Sequence, residues 1–310
     1  MPLDGIHHVT CITGDVLANV DFYAGVLGLR LVAKSVNQDD PTVYHLFFSD
    51  EEGHPGADIT FFGYEGARPG RAGTGMIHTI VWRVASAEAL AFWAERLGAR
   101  GVAVTRDGER LGFADPEGLG HELTTDRSGD APRIADHPEI PAALALHGFD
   151  GVRAYGDAAR SRRVLEEAMG ARPLADGGWE VRGPRRGGWI RYEPAPAERG
   201  VPGAGTVHHV AWGTTVAEHP SWVERLSGHG VRSTEVIDRH YFHSIYFREP
   251  GGVLYEIADD GPGFARDSAV AELGRRLILP PWFEAQRAEI EARLTPIPDP
   301  RAAWGEVKRG

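Results

Sequence analysis

The sequence is poor in cysteine, in excess basic charge and in long apolar runs, and each deficit excludes a class of protein. A single cysteine, Cys11, allows no internal disulfide and no cysteine-rich zinc site. Lys and Arg number 33 against 44 Asp and Glu, and the formal net charge of −11 argues against a nucleic acid as the main partner. No apolar run approaches the roughly 20 residues of a membrane span, and the opening MPLDGIHHVT lacks the pattern of a secretory signal. We therefore expect a cytoplasmic protein that binds neither nucleic acid nor membranes.

What the sequence does contain is one strand-then-helix pattern repeated four times. The four segments begin at Gly5, Gly75, Phe149 and Gly205. An apolar residue closes each predicted helix 17 to 19 residues after the equivalent strand position. In the first two helices apolar residues recur at i, i+3, i+4 and i+7, which predicts one buried face. Gly28 and Gly98 follow these two helices where a left-handed C-cap belongs.

Short strand-like runs separated by turn residues follow each helix, so each unit is predicted to be βαβββ. Two such units side by side can curl into a cupped mixed sheet with helices outside, which makes the expected fold class α+β. We predict one two-unit domain in residues 1–130, a Pro-rich linker in 131–145 and a second two-unit domain in 146–262. Residues 263–310 form a helical tail, with a helix beginning near Pro281, that could cover a sheet edge.

The repeat makes two histidine pairs conspicuous, because His7-His8 and His208-His209 occupy equivalent strand positions. Neighbouring strand residues face opposite sides, so His8 and His209 can share one interior while His7 and His208 flank it, although the reverse assignment is also open. Glu256 lies in an otherwise largely apolar strand, where a carboxylate is costly unless it is paired or bound to a metal. Two histidines and a carboxylate form the facial triad of non-haem iron(II) sites.

The other two units serve as an internal control on this hypothesis. The second unit has Thr79 in place of the ligand histidine although it keeps Glu122, and the third unit has Gly151. A complete ligand set arises only when the first unit is joined to the fourth. We therefore predict one metal site, with Glu122 as a non-ligand remnant.

On the basis of these motifs, the chain from about residue 5 to residue 260 resembles the vicinal oxygen chelate superfamily. This superfamily comprises glyoxalases, bleomycin-resistance proteins and extradiol dioxygenases. The segments GIHHVTCITGD and GTVHHVAW and the PPWFE tail resemble the branch that opens hydroquinone rings. The resemblance implies that the first unit packs with the fourth and the second with the third. It also implies Fe(II), or alternatively Mn(II), held by His8, His209 and Glu256. The implied activity is extradiol-type cleavage, in which O2 is inserted into a hydroquinone- or catechol-type small aromatic diol.

The resemblance further implies catalytic roles for five side chains around the metal. Thr10 would face the same side as His8. Arg239 would stabilise negative charge that develops during the reaction, and Tyr246 would donate a hydrogen bond to the reacting oxygen. His7 and His208 would move protons or orient the aromatic ring.

Two alternatives on the same fold stay open at this stage. A glyoxalase-like lyase or isomerase would use four protein ligands and a metal such as Zn, Ni, Co or Mn, and Asp58 is then the candidate fourth ligand. A non-catalytic binding or resistance protein would leave the metal site empty. We expect a homo-oligomer, most simply a dimer, because soluble enzymes commonly form one; no particular residue in the sequence indicates it.

Overall fold

The computed structural model of the protein describes residues 3–302 and residue 304. Within these residues, sixteen strands form two eight-stranded mixed sheets, against which the longer helices pack through apolar faces. This architecture confirms the predicted α+β fold class.

The first sheet combines the first and fourth units in the order β14-β15-β16-β13-β1-β4-β3-β2. Its strands from the first unit are β1 (Ile6–Thr13), β2 (Arg30–Asn37), β3 (Asp40–Ser49) and β4 (Asp58–Gly63). Its strands from the fourth unit are β13 (Thr206–Thr214), β14 (Ile237–Asp238), β15 (His243–Arg248) and β16 (Leu254–Asp259). The two units meet where β1 pairs antiparallel with β13, so the middle of the sheet is built from the two ends of the chain.

The second sheet combines the second and third units in the order β10-β11-β12-β9-β5-β8-β7-β6. Its strands from the second unit are β5 (Met76–Val84), β6 (Val104–Asp107), β7 (Arg110–Ala114) and β8 (Gly120–Thr125). Its strands from the third unit are β9 (Leu146–Tyr155), β10 (Arg172–Pro173), β11 (Trp179–Glu180) and β12 (Trp189–Glu193). The pairing of first with fourth and second with third units is the one that the family resemblance implied. The predicted division into domains 1–130 and 146–262 stays a prediction.

Each unit carries one helix between its first and second strands. These helices are α1 (Val16–Val20, continued by a π-helical turn, Asp21–Val26), α2 (Ala87–Ala99), α3 (Ala158–Arg163, continued by a π-helical turn, Val164–Ala168) and α4 (His219–Gly228). Asp15 caps α1 by accepting the amides of Leu17 and Ala18. Gly28 follows α1 with φ 71°, as the C-cap prediction requires. The corresponding prediction for Gly98 is wrong. The helix α2 continues through Gly98 to Ala99, and Gly101 is the glycine that takes the left-handed conformation, with φ 75°.

In the part of the chain that the structure describes, the segment between the two halves and the C-terminal tail contain only short helices. They are 3-10 helices at Ala142–Leu144, Phe264–Arg266, Val270–Glu272 and Pro281–Gln286, and α5 at Arg287–Glu291. The predicted helix start near Pro281 is thus confirmed. The tail also covers an edge of the first sheet, since Ile278 N donates to Lys34 O on β2 and Lys34 Nζ donates to Ile297 O at 2.9 Å. In the described part of the chain, no helix is long and apolar enough to cross a membrane.

A buried polar chain links the first unit to the second. Trp82 Nε1 donates to His121 Nδ1 at 3.1 Å, so His121 carries its proton on Nε2 and donates it to Tyr23 Oη at 2.9 Å. Tyr23 Oη in turn donates to Asp115 Oδ2 at 3.0 Å. The chain closes only when the His121 ring is neutral.

Candidate metal centre

Three adjacent strands of the first sheet bring His8 (β1), His209 (β13) and Glu256 (β16) together. His209 Nε2 lies 2.8 Å and His8 Nε2 3.2 Å from Glu256 Oε2, and the two ring nitrogens are 3.4 Å apart. All three side chains are buried. Among the described residues this is the only group of three or more potential ligands whose atoms are mutually close enough to hold one metal ion.

The electrostatics of this group suit a bound cation. Burial alone raises the pKa of Glu256, but the adjacent His8 and His209 outweigh burial and hold that pKa well below its usual range. Burial is the largest influence on the pKa of His209 and lowers it, although the Glu256 charge opposes this shift. An ionised carboxylate and a neutral imidazole are the protonation states in which these groups bind metals.

Hydrogen bonding leaves one oxygen of Glu256 for such an ion. Ser244 Oγ donates to Oε1 of the carboxylate. Oε2 faces both ligand histidines, yet no donor points a hydrogen at it, so among the described residues this buried oxygen has no hydrogen-bond partner. An unpaired buried carboxylate oxygen is costly, and a cation placed among the three donors would satisfy it. The residues present therefore fit a divalent metal.

His7 and His208 each contact the ligand histidine that follows them. The Nδ1 atoms of His7 and His8 are 2.9 Å apart, and those of His208 and His209 are 2.7 Å apart. Since His7 Nε2 must donate to Asp259 O, 3.1 Å away, His7 Nδ1 is an acceptor and His8 carries a proton on Nδ1. This leaves His8 Nε2 free to bind a metal. His7 thus fixes the tautomer of His8, as outer hydrogen-bond partners do at metal-bound histidines.

The group opens into a cavity of about 690 Å³, a volume typical of small-molecule sites. Aromatic side chains form much of its wall: Phe47, Phe62, Tyr241, Phe242 and Tyr246. Phe242 lies over His8 with ring centroids 5.0 Å apart and rings tilted by 34°. A flat aromatic molecule would fit between such walls beside the metal ligands.

Arg239 and Tyr246 lie together on the β14–β15 side of this cavity. Arg239 Nε donates to Tyr246 Oη at 3.2 Å, and its other nitrogens reach the two Asp39 carboxylate oxygens at 3.2 and 3.0 Å. Burial opposes the charge on Arg239, but Tyr246 and Asp39 together raise its pKa. Burial and the Glu256 charge raise the pKa of Tyr246, so its hydroxyl stays protonated and can donate into the cavity.

Thr10 lies on the opposite side and belongs to a chain of three side chains. Thr60 Oγ1 donates to Thr10 Oγ1 at 2.9 Å, and His45 Nε2 lies 3.0 Å from Thr60 Oγ1. The sequence analysis did not single out His45, Phe242 or Ser244. Ser244 carried one usable signal, since it precedes Tyr246 by two residues on the same strand face.

Asp58 and Glu122 stay outside the ligand group. Asp58, together with His7, lines a separate cavity of about 220 Å³, and burial followed by the nearby Asp50 raises the pKa of Asp58 well above its usual value. In the second sheet, Glu122 Oε1 accepts from Arg153 at 3.1 Å, and Arg153 also donates to Glu193 at 2.9 Å. At the place equivalent to the metal centre, the second sheet therefore holds an arginine-carboxylate cluster.

Comparisons with known proteins agree on one family. The family model described as Glyoxalase/Bleomycin resistance protein/Dioxygenase superfamily matches residues 5–129 and 150–257. The Bacillus subtilis protein MhqO, provisionally named a ring-cleaving dioxygenase, is 41% identical over 94% of this chain and 96% of its own. A chlorohydroquinone/hydroquinone 1,2-dioxygenase of Sphingobium indicum is 31% identical over 93% of this chain and 95% of its own. A crystal structure of a B. subtilis protein, provisionally named a dioxygenase, matches with a TM-score of 0.88 and 38% identity over 96% of this chain and 98% of its own.

Proposed function

Because the chain belongs to the Glyoxalase/Bleomycin resistance protein/Dioxygenase superfamily, we propose that it is a ring-cleaving dioxygenase of the extradiol type acting on a hydroquinone-type aromatic. In this proposal Fe(II), with Mn(II) as the alternative, is held by His8, His209 and Glu256. The observation that carries the proposal is the convergence of these three donors on one side of an aromatic-walled cavity. The relatives named above support the reaction class.

Bound Fe(II) would hold a substrate phenolate and O2 side by side and would pass electrons from the aromatic ring to O2. The chain's own residues would do the rest. Phe242 and Phe47 would hold the ring flat in the cavity and exclude water from it. Arg239 would place its positive charge where negative charge develops on the substrate, and Tyr246 would donate its hydroxyl hydrogen there.

His7 and His208 act in this proposal as positioning residues. Each would hold the Nδ1 side of its neighbouring ligand and so keep Nε2 aimed at the metal. His7 is buried, whereas His208 also borders the substrate cavity and so is the better placed of the two to exchange a proton with the substrate.

The glyoxalase-like alternative needs a fourth ligand, and Asp58 was its candidate. Asp58 borders the smaller cavity that His7 also lines. Tyr241 and Phe242 border both cavities and separate Asp58 from the substrate side. No observation on the described residues therefore favours a four-ligand centre.

The test is anaerobic reconstitution with Fe(II) or Mn(II), followed by oxygen uptake with a panel of hydroquinones and catechols. We expect rapid uptake with a ring-opened product that carries both atoms of ¹⁸O2. The uptake should disappear in His8→Ala and Glu256→Ala and persist in His54→Ala, which alters a more exposed histidine away from the substrate cavity. Stoichiometric metal binding without uptake on any diphenol would refute the proposal.

A further inference from the structure

We propose that His45 accepts a hydrogen bond from the substrate hydroxyl that does not bind the metal, and so selects para-diols over ortho-diols. This inference rests on the proposed function and adds a specificity residue to it. His45 lies on β3 and lines the substrate cavity.

The hydrogen-bond chain leaves one ring nitrogen of His45 free. Thr60 uses its hydroxyl hydrogen on Thr10, so Thr60 Oγ1 must accept the hydrogen on His45 Nε2. His45 Nδ1 then carries a lone pair and makes no hydrogen bond to any described residue. Burial, followed by the proximity of His8 and His209, lowers the pKa of His45 well below its usual value, which agrees with a neutral ring.

Aromatic neighbours fix the orientation of this ring. The centroid of His45 lies 4.0 Å from that of Phe47 and 4.6 Å from that of Phe62. Together with the Thr60 contact, these rings hold His45 in one position on the cavity wall. A preorganised acceptor of this kind binds a donor without the entropic cost of ordering its side chain.

The strand order places His45 across the cup from Arg239. The metal ligands lie on β16, β13 and β1, Arg239 and Tyr246 lie beyond β16, and His45 lies beyond β4. A para-diol has its two oxygens on opposite ends of the ring, so one can bind the metal while the other points away from it. An ortho-diol that binds the metal through both oxygens has no hydroxyl left for His45.

The experiment measures anaerobic binding of two probes to the Fe(II)-loaded protein. The probes are hydroquinone and 4-methoxyphenol, which differ in the donor hydrogen on the remote oxygen. We expect the wild type to bind hydroquinone about tenfold more tightly, because one buried hydrogen bond is at stake. His45→Phe should bind both probes alike, whereas His45→Asn, which keeps an amide near the Nδ1 position, should retain part of the preference.

Two controls separate the role of His45 from general damage. His229→Phe alters the histidine that directly follows α4, where Nδ1 bonds Arg225 O, and should keep the full preference. Fe(II) affinity should be the same in wild type and His45→Phe, because His45 is outside the ligand group. Thr60→Val removes the contact that fixes the His45 tautomer and should reduce the preference without abolishing metal binding.

The outcomes also separate this inference from the proposed function. If the wild type consumes O2 with hydroquinone but folded His45→Phe keeps the probe preference, the role of His45 is refuted and the dioxygenase stands. The same holds if the wild type does not distinguish the probes. If the wild type neither binds a diphenol nor consumes O2 with one, both proposals fail together.

Discussion

Ser244→Ala should weaken metal binding without touching a metal ligand. Ser244 is fully buried on β15, and its hydroxyl is the donor that holds Oε1 of Glu256. Hydrogen bonds to charged groups contribute about 1.5 to 3 kcal/mol, which corresponds to roughly ten- to a hundredfold in affinity. Because the bond also holds the carboxylate before the metal binds, we expect a loss near tenfold, with a hundredfold as the upper bound.

The assay is an anaerobic competition titration of Fe(II), repeated with Mn(II), on wild type, Ser244→Ala and Ser227→Ala. Ser227 is exposed on α4 and serves as the matched control, so its variant should bind metal as the wild type does. Circular dichroism and urea unfolding verify that Ser244→Ala is folded. A folded Ser244→Ala protein with wild-type affinity for both metals would refute the argument that this hydroxyl orients the ligand.

Three further predictions concern stability. Burial lowers the pKa of His121 from 6.5 to about 3. As the pH falls below 6.5, the unfolded chain therefore takes up a proton at this residue that the folded chain does not. The contribution of His121 to the free energy of unfolding should then decrease by about 1.4 kcal/mol per pH unit. Urea unfolding between pH 7 and pH 5 measures the total slope, which should be smaller by this amount in His121→Gln than in the wild type, because other buried histidines with lowered pKa values add slopes of their own. Arg153→Met should lower the free energy of unfolding by about 2 kcal/mol, because the half-buried carboxylates of Glu122 and Glu193 lose the cation that they share. A metal titration of this variant should still find one site. His240 has φ 73°, so thermal unfolding should show His240→Gly to be more stable than His240→Ala by about 1 kcal/mol.

Each stability prediction has a control elsewhere in the chain. His229→Gln should keep the full acid slope, and an unchanged slope in His121→Gln would contradict the account of His121. Arg163→Met breaks an exposed ion pair with Glu167 and should cost under about 1 kcal/mol. At Ser227, in ordinary helical backbone, the order should reverse and alanine should be the more stable substitution. Equal stability of the two His240 variants would show that its backbone is not strained.

The convergence of His8, His209 and Glu256 could be predicted from the sequence because the repeat supplied a comparison. Each strand position has equivalents in the other units, and the histidines stand out against Thr79 and Gly151. Alternation along a strand then assigned His8 and His209 to one face. The pairing of the first unit with the fourth could not be derived in this way and came from the family resemblance.

His45 and Phe242 could not be found because nothing local marks them. A single histidine in a strand is more often an ordinary core residue than a functional one, and neither residue has a counterpart in another unit with which it could be compared. Their position beside the three candidate ligands depends on the curvature of the sheet and on the loop before β15. Those features are set by long-range packing, which sequence periodicity does not report.

Asp58 illustrates the limit of an argument from strand faces. It precedes Thr60 by two residues on β4, so alternation along the strand places both side chains on one face. Two residues along a strand span about 6.6 Å, and in the parallel register Asp58 pairs with His8 while Thr60 pairs with Thr10. Although this register puts Asp58 beside His8, its side chain lines the cavity that His7 lines and not the one that His8 lines, so alternation and register alone do not predict where the carboxylate lies.

The pairing of the first unit with the fourth also sets the order of events during synthesis. His8 leaves the ribosome among the first residues, whereas His209 follows 201 residues later and Glu256 later still. At typical elongation rates of about 5 to 20 residues per second, β1 waits for roughly ten seconds or more before β13 exists to pair with it. The second sheet, made of contiguous sequence, can form in that interval, so the three candidate ligands come together only after that sheet can exist. A nascent chain that ends before Glu256 therefore carries no complete set of these residues.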